Sequence, residues 1–536
     1  MIGKYLFSLL LTVSSFHVFS QDWIRVFGDN ISVRGSNVIE TYDKGYVIGA
    51  YILPDNITPK WGWILKTDIN GEMLWEKKIY DGMHQAPISE IRQTNDGGYI
   101  ICGSTSKYDP MMDPYIMKLN KCGEKEWCKI YNTPDNMDFA RNILQLEDSG
   151  YISYFAYYAE YDTRNRIWLF RLDKNGELLW NNVYRDTLSS TINEDCADLL
   201  VTHNKKYVLT GNIYHEDQPG SNIFIIKPYW AIVDEDMKQW SQTIWGAFEF
   251  MCGEAFDSEG DSFTNIYGCG QNRSYQYNHR PILFKLNAYG DTLWHKDVME
   301  NTKYANAAKL TFLNDSAIVI GGGWMLPYET YYHSGVFKTD SIGYLLKTKT
   351  LIDNDYSPRA LTKTFDNKIV IIGNYFVGAL NWDLYMFKVN SDLEYDSIYT
   401  QPFTYDSLCE TGIISDTINL DCDVVVNIPE EPEKETTAPL KIWPNPTTCD
   451  LHIGLPECIV SQSTDGFFHI SHFNHQYQDK SALQFFDIFG RKVFEASLAK
   501  GQREAIADVS FLTNGIYIVR LVYKGGTVSS GRFVKR

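Results

Sequence analysis

Ile91-Arg-Gln-Thr-Asn-Asp-Gly-Gly-Tyr-Ile-Ile-Cys-Gly103 and, shortly after it, Tyr115-Ile-Met-Lys-Leu-Asn-Lys-Cys-Gly-Glu-Lys-Glu-Trp127 decide the fold. Each half is a strand, a tight turn and a second strand. Apolar residues alternate with polar ones at the two-residue period of a sheet, and the Asn, Asp and Gly cluster supplies the backbone conformations a hairpin turn needs. Together the halves give four strands in about fifty residues.

The same design recurs along the chain. Strands open one residue into Gly45-Tyr-Val-Ile-Gly-Ala, Gly98-Tyr-Ile-Ile-Cys-Gly, Gly150-Tyr-Ile-Ser-Tyr-Phe, Lys206-Tyr-Val-Leu-Thr-Gly, Asn265-Ile-Tyr-Gly-Cys-Gly, Ser316-Ala-Ile-Val-Ile-Gly and Lys368-Ile-Val-Ile-Ile-Gly, 51 to 59 residues apart. The second half is plainest in Trp63-Ile-Leu-Lys-Thr-Asp-Ile-Asn-Gly-Glu-Met-Leu-Trp75 and Trp168-Leu-Phe-Arg-Leu-Asp-Lys-Asn-Gly-Glu-Leu-Leu-Trp180, with fainter copies ending at Trp240, Trp294, Leu346 and Tyr395. Seven such units predict an all-β, seven-bladed β-propeller over 21–400, with the repeated Trp wedged between blades. An array of β-sandwiches is the competing arrangement. Asp22-Trp-Ile-Arg-Val-Phe-Gly28 matches the Trp-opened fourth strand and is a candidate to complete the last blade. Leu393-Glu-Tyr-Asp-Ser-Ile-Tyr399 competes for that place.

Composition fits this reading and narrows the partners. The chain has 536 residues, 15% of them aromatic, and a net charge of −18. A nucleic-acid or anionic-lipid binder shows a basic face, so neither partner is expected. Residues 1–20 combine Lys4, a short apolar run and Val18 and Ser20 at the −3 and −1 positions, the pattern of a secretory signal peptide. The rest of the chain has no apolar run long enough to predict a membrane span. In an oxidising compartment cysteines can pair, and local spacing makes Cys122 with Cys128, Cys409 with Cys422, and Cys449 with Cys458 candidate pairs, although sequence alone does not fix the connectivity. Cys102 and Cys269 sit in apolar strand patterns and read as buried thiols.

Pro429-Glu-Glu-Pro-Glu-Lys-Glu-Thr-Thr-Ala-Pro439 cannot build a core, and 401–438 reads as a transition ending in a stiff acidic linker. Beyond it come Lys441-Ile-Trp443-Pro444-Asn445-Pro446, then Leu483-Gln-Phe-Phe-Asp-Ile-Phe-Gly490-Arg491-Lys-Val493, then Leu512-Thr-Asn-Gly515-Ile-Tyr517-Ile-Val-Arg520, and an ending with Lys535. In order and spacing these motifs are similar to the type A C-terminal sorting domain of the type IX secretion system, over 439–536. The resemblance implies a small immunoglobulin-like β-sandwich read by the outer-membrane translocon. It also implies a Bacteroidota source and a chain secreted or held at the outer-membrane cell surface. The repeats at 22–400 resemble quinoprotein-type (PQQ-like) secreted propellers. A quinone cofactor is not implied, because the vicinal cysteine pair typical of those dehydrogenases is missing, and no cofactor is expected.

Candidate chemistry is sparse. His469, His472 and His475 would share a face only on a helix, where they could hold a metal. Asp68-Ile-Asn-Gly and Asp173-Lys-Asn-Gly faintly resemble calcium loops, but turn chemistry accounts for the same residues. No nucleophile elbow or marked carboxylate pair appears, so neither catalytic nor metal residues are expected. Triplets such as Asp315-Ser-Ala and Asp340-Ser-Ile resemble acceptors of bacterial O-glycosylation, although Asp-Ser also punctuates turns. The resulting expectation is a non-catalytic binding module for a glycan, peptide or protein, with aromatic loops at Tyr328–His333 and Tyr154–Tyr158 as the contact surface. The alternative is a secreted hydrolase or lyase using the axial pocket.

Overall fold

The computed structural model describes 23–425 and 441–536, each apart from several short segments; 1–22 and 426–440 lie outside the described residues. The signal-peptide and acidic-linker readings fall there, and Pro444 to Pro446, Cys449, His475 and Gly490 likewise lie outside the described residues. The chain separates into two compact units, Met1–Ile428 and Pro429–Arg536.

Every described element of the first unit is a strand, and the strands form seven small antiparallel sheets. Sheet 1 holds Ser32–Glu40, Tyr46–Leu53, Trp61–Thr67 and Met73–Ile79; sheet 2 holds Ile88–Gln93, Tyr99–Thr105, Asp113–Leu119 and Lys125–Tyr131. Sheets 3 to 6 repeat the order over 139–184, 191–244, 253–297 and 304–353. The second strands begin at Tyr46, Tyr99, Tyr151, Tyr207, Ile266, Ala317 and Ile369, the seven positions at which the sequence repeats. Sheet 7 takes three strands from 360–389 and its fourth from the other end of the chain. Ile24–Phe27 pairs antiparallel with Asn381–Val389, Val26 opposite Tyr385. The competing segment makes a single bridge, Tyr395 to Val389.

Neighbouring sheets are joined by a repeated set of contacts. Trp23, Trp75 and Trp127 meet Tyr46, Tyr99 and Tyr151 of the following sheet edge-on, at 6.3, 6.1 and 5.9 Å between ring centres. Each Trp opens the fourth strand of one sheet, and Trp23 and Trp75 are almost wholly buried. Gly176 shows why the turn residue is fixed: its φ is +80°, and a Cβ there would lie 2.7 Å from Trp127. At three junctions a second contact joins the end of a first strand to the turn of the neighbouring sheet. Glu40 accepts from Phe365 N, Gln93 from Tyr42 N and Gln145 from Asn95 N, all at 2.8 Å. The junction of sheet 7 with sheet 1 thus uses the same contacts as those between sheets 1 and 2 and between sheets 2 and 3.

Residues 401–425, expected as a transition, are built into this unit. Asp416–Ile418 adds parallel to Met73–Ile79, and Asp423–Val425 adds parallel to Lys125–Tyr131, covering the outer edges of sheets 1 and 2. Two of the expected local disulfides are replaced by long-range ones, and the pairing of Cys449 with Cys458 falls outside the described residues. Cys122 bonds Cys409 and Cys128 bonds Cys422, so the strap is stapled twice to sheet 2. Cys122 lies in the turn leading into the outer strand of sheet 2 and Cys128 lies on that strand, so both meet the crossing strap rather than each other. Cys102 and Cys269 are buried, as expected, and so is Cys196.

In the second unit, Lys441–Trp443, Asp450–Gly454 and Glu504–Asp508 form one sheet, and Lys492–Ser497, Ser481–Asp487, Gly515–Tyr523 and Gly526–Lys535 form another. Leu483, Phe485, Val519 and Phe533 of the second sheet pack with Ala505 and Ala507 of the first around one core. Cys458–Gln462 and Phe468–His472 make a separate hairpin, so His469 and His472 stand on a strand and the helical face that would have gathered the histidines does not form.

Candidate functional site

The first strands of all seven sheets line one cavity of about 520 Å³. Their sequences turn polar where they reach it: Asn37 and Glu90, then Asn142 and Asp198, then Glu259 and Lys309. In six of these strands the pairing register shifts by one residue, as at Gly35/Asn37, Ala140/Asn142 and Cys196/Asp198. Each bulge adds local twist and re-aims the side chain that follows it. The polar residues that follow are then joined between sheets.

Asn37 Nδ2 donates to Glu90 Oε1 at 3.0 Å and to the carbonyl of Ile91 at 2.8 Å, while Ile91 N donates back to Asn37 Oδ1. Glu90 also faces the Arg92 guanidinium at 2.7 Å. One interface further on but one, Asn142 Nδ2 donates to Asp198 Oδ1 at 3.1 Å. Both carboxylates are thus hydrogen-bonded to amides, and Glu90 also faces a guanidinium. Such a wall presents both donors and acceptors for polar recognition.

Sheets 1, 2, 3 and 7 each carry, beside the turn into the second strand, a polar clip that the apolar pattern hides. In sheet 1, Asp43 accepts from Thr41 at 2.6 Å, from Gly45 N at 3.1 Å and from the wholly buried Lys66 at 2.7 Å. Burial opposes the Asp43 charge, but Lys66 overrides it and holds the carboxyl below the usual range. Asp96 with Lys118, and Asp148 with Arg171, repeat the arrangement in sheets 2 and 3. The signal was present in the sequence as Asp three residues before the second strand and a basic residue three places beyond the start of the Trp63, Tyr115 and Trp168 segments. In sheet 7 the clip grows into a cluster of Asp366, Lys368, Lys388, Asp396 and Tyr399. Burial again works against Asp366, yet hydrogen bonds from Thr364 and Tyr399 and the Lys388 charge bring it to about 2.

Asp68 and Asp173, weighed as calcium ligands, cap their own turns: Asp68 Oδ1 accepts from Asn70 N and Glu72 N, and Asp173 Oδ1 from Asn175 N and Glu177 N. Among the described residues no group of His, Cys, Asp and Glu is arranged to hold a metal ion.

The two aromatic loops part company. Tyr154 and Phe155 are core residues, packed in the clusters that join sheet 3 to its neighbours. Tyr328 is 99% exposed, and Tyr331 and Tyr304 beside it are also open to solvent. Of the sorting motifs, Arg491 pairs with Asp487 at 2.7 Å across the turn between two strands, and Tyr517 stacks on Phe533 at 5.5 Å in the core. Gly515 stands opposite Lys535, which is buried, and Trp443 lies on the first strand of its sheet.

No curated protein sequence matches the chain. Solved structures similar to it include a protein of unknown function from Dyadobacter fermentans (10% identity, TM-score 0.39, covering 68% of this chain and 96% of that one). A puromycin-hydrolyzing peptidase of Mycobacterium tuberculosis (11%, 0.40, 81% and 58%) and a NanB sialidase mutant of Streptococcus pneumoniae (9%, 0.39, 70% and 71%) are others. At these TM-scores the likeness is loose and says nothing of chemistry. Among the described residues no helix is long and apolar enough to cross a membrane. Residues 441–536 match the secretion system C-terminal sorting domain family, and the chain is accordingly a cargo of type IX secretion, released outside the cell or attached to its surface.

Proposed function

We propose that the passenger is a closed seven-bladed β-propeller of Bacteroidota type that binds a polar extracellular ligand in its axial cavity without transforming it. Residues 1–20 are the leader, the propeller runs from 21 through the strap, and 439–536 are the sorting domain. Closure is supported by Ile24–Phe27 pairing into the last sheet. Function is carried by one observation: the cavity lined by all seven first strands has its carboxylates Glu90 and Asp198 hydrogen-bonded to Asn37 and Asn142. A ligand with hydroxyl or amide groups, a glycan or a peptide, meets both donors and acceptors there.

Thermal-shift screening of the mature chain against neutral oligosaccharides and short peptides tests this, followed by calorimetry of any hit with Lys309→Ala and Glu259→Gln. The expected outcome is saturable binding, weakened in both variants, with the ligand recovered intact by mass spectrometry. Cleavage of the ligand would replace this reading with a hydrolase or lyase acting from the same cavity.

A further inference from the structure

Within sheet 6, the loop between Ala317–Met325 and His333–Asp340 is held by hydrogen bonds at Leu326, Glu329, Tyr332 and His333. Glu329 N donates to Leu326 O at 3.1 Å, and Glu329 Oε2 accepts from Leu326 N at 2.9 Å. His333 is clamped between Glu329 Oε2 at 3.1 Å and Asp353 Oδ1 at 2.7 Å, and it stacks on Trp324 at 5.5 Å. The Tyr332 hydroxyl donates to Asn306 Oδ1 at 3.0 Å, drawing its ring across Gly323. What this scaffold holds outward is apolar: Tyr304, Leu326, Tyr328 and Tyr331 are 46, 38, 99 and 39% exposed.

Fully exposed, Tyr328 contributes no buried area to folding, so the scaffold beneath it serves to present it. We propose that this platform is a second binding site, separate from the axial cavity, and that its ligand is a neutral polysaccharide. Three arguments select that class. Four side chains on one loop and its flanking strand expose on the order of a few hundred Å², well below the ~800 Å² per partner of a stable protein interface and about the footprint of one or two sugar rings. Phenol rings offer flat apolar faces for the C–H faces of a pyranose together with hydroxyls for its polar rim, at little entropic cost because the loop is already ordered. The carboxylates of the platform, Glu329 and Asp353, accept hydroxyl donors and repel anionic sugars, in keeping with a chain of net charge −18.

Affinity electrophoresis of the mature protein tests the proposal in gels containing dextran, xylan, galactomannan or mixed-linkage glucan, with polygalacturonate as the anionic control. Retardation is expected in at least one neutral gel and not in polygalacturonate. Tyr328→Ala and Tyr331→Ala should each weaken it by about tenfold, Tyr328→Trp should preserve it, and the thermal midpoint of Tyr328→Ala should equal that of the parent. Loss of retardation in Lys309→Ala with no loss in Tyr328→Ala would place the binding in the axial cavity and overturn the proposal. Free migration in all four neutral gels, or equal retardation of the parent and both alanine variants, overturns the proposal.

Discussion

Replacing Glu40 with Gln should stabilise the protein at alkaline pH and leave it unchanged in acid. Glu40 ends the first strand of sheet 1 and accepts from Phe365 N of sheet 7. Its counterparts at the next two junctions, Gln93 and Gln145, make the same bond with a neutral amide. Glu40 must make it with a carboxylate whose other oxygen, Oε1, is buried without a hydrogen-bond partner. Burial therefore raises its pKa from 4.5 to about 7, against the lowering effect of that hydrogen bond and of Lys44 and Lys388. Below pH 4.5 the group is protonated in both folded and unfolded chains and has no effect. Between 4.5 and 7 the folded state alone holds the proton, so stability falls as pH rises, and the full penalty is present above 7. A shift from 4.5 to about 7 converts to roughly 3 kcal/mol at about 1.4 per unit, and solvent screening of a partly exposed group reduces this to about 1–2 kcal/mol. Urea unfolding followed by Trp fluorescence reads this unit, since every Trp except Trp443 precedes residue 429. The expected result for Glu40→Gln is a gain of about 1–2 kcal/mol at pH 8 and none at pH 4. A loss at pH 8, or an equal gain at both pH values, would refute the reasoning.

Three further outcomes follow from other parts of the structure. With one disulfide intact, the other closes a loop of only about 19 residues, six between 122 and 128 and thirteen between 409 and 422, so Cys122→Ser/Cys409→Ser should cost about 3 kcal/mol. Removing both opens a loop of nearly 290 residues and should cost about 9 kcal/mol, comparable to the whole stability of a domain; equal, additive losses measured by denaturant titration would contradict the linked pairing. Lys66→Met strands the buried Asp43 charge and should cost about 3–5 kcal/mol, much of it regained in Asp43→Asn/Lys66→Met; a near-neutral single variant in the same titration would show the clip to be solvated. Deleting 512–536 removes the strand Gly515–Tyr523 from the centre of its sheet, and immunoblotting of cell fractions should then find the passenger in the periplasm. Normal amounts at the surface or in the medium would contradict the sorting role.

The period of the fold was legible because each second strand begins where its sequence motif begins, from Tyr46 to Ile369. Local chemistry, a two-residue alternation and a Gly-bearing turn, fixes those boundaries without help from distant residues. Placing Trp23 beside the last sheet was legible for the same reason, since its segment carries the Trp that the competing segment at Leu393 lacks. The disulfides were not. Spacing favoured Cys122 with Cys128, whereas pairing depends on which edge the strap crosses, a property of the assembled sheets. The strap itself was hidden because 401–425 has short, irregular apolar runs that become strands only when added to an existing edge. The cavity was half legible. Asn37, Glu90, Asn142 and Asp198 all stand nine residues before a second strand, but only the bulges reveal that they meet between sheets. Tyr154 and Tyr328 could not be told apart by residue type, because a buried ring and a presented one share the same β-rich setting.

The proposed closure of the ring by the first strand underlies the proposed use of the cavity, and a site-directed crosslink tests it most directly. Val26 and Tyr385 stand opposite each other in the pairing of Ile24–Phe27 with Asn381–Val389. In mature protein carrying Val26→Cys/Tyr385→Cys, mild oxidation followed by peptide mass mapping should recover the 26–385 disulfide in most of the folded chain, with the two native disulfides intact. Recovery of no such crosslink, or of as much from the register-shifted control Val26→Cys/Asp383→Cys, would mean that the first strand does not complete the last sheet and that the ring is open.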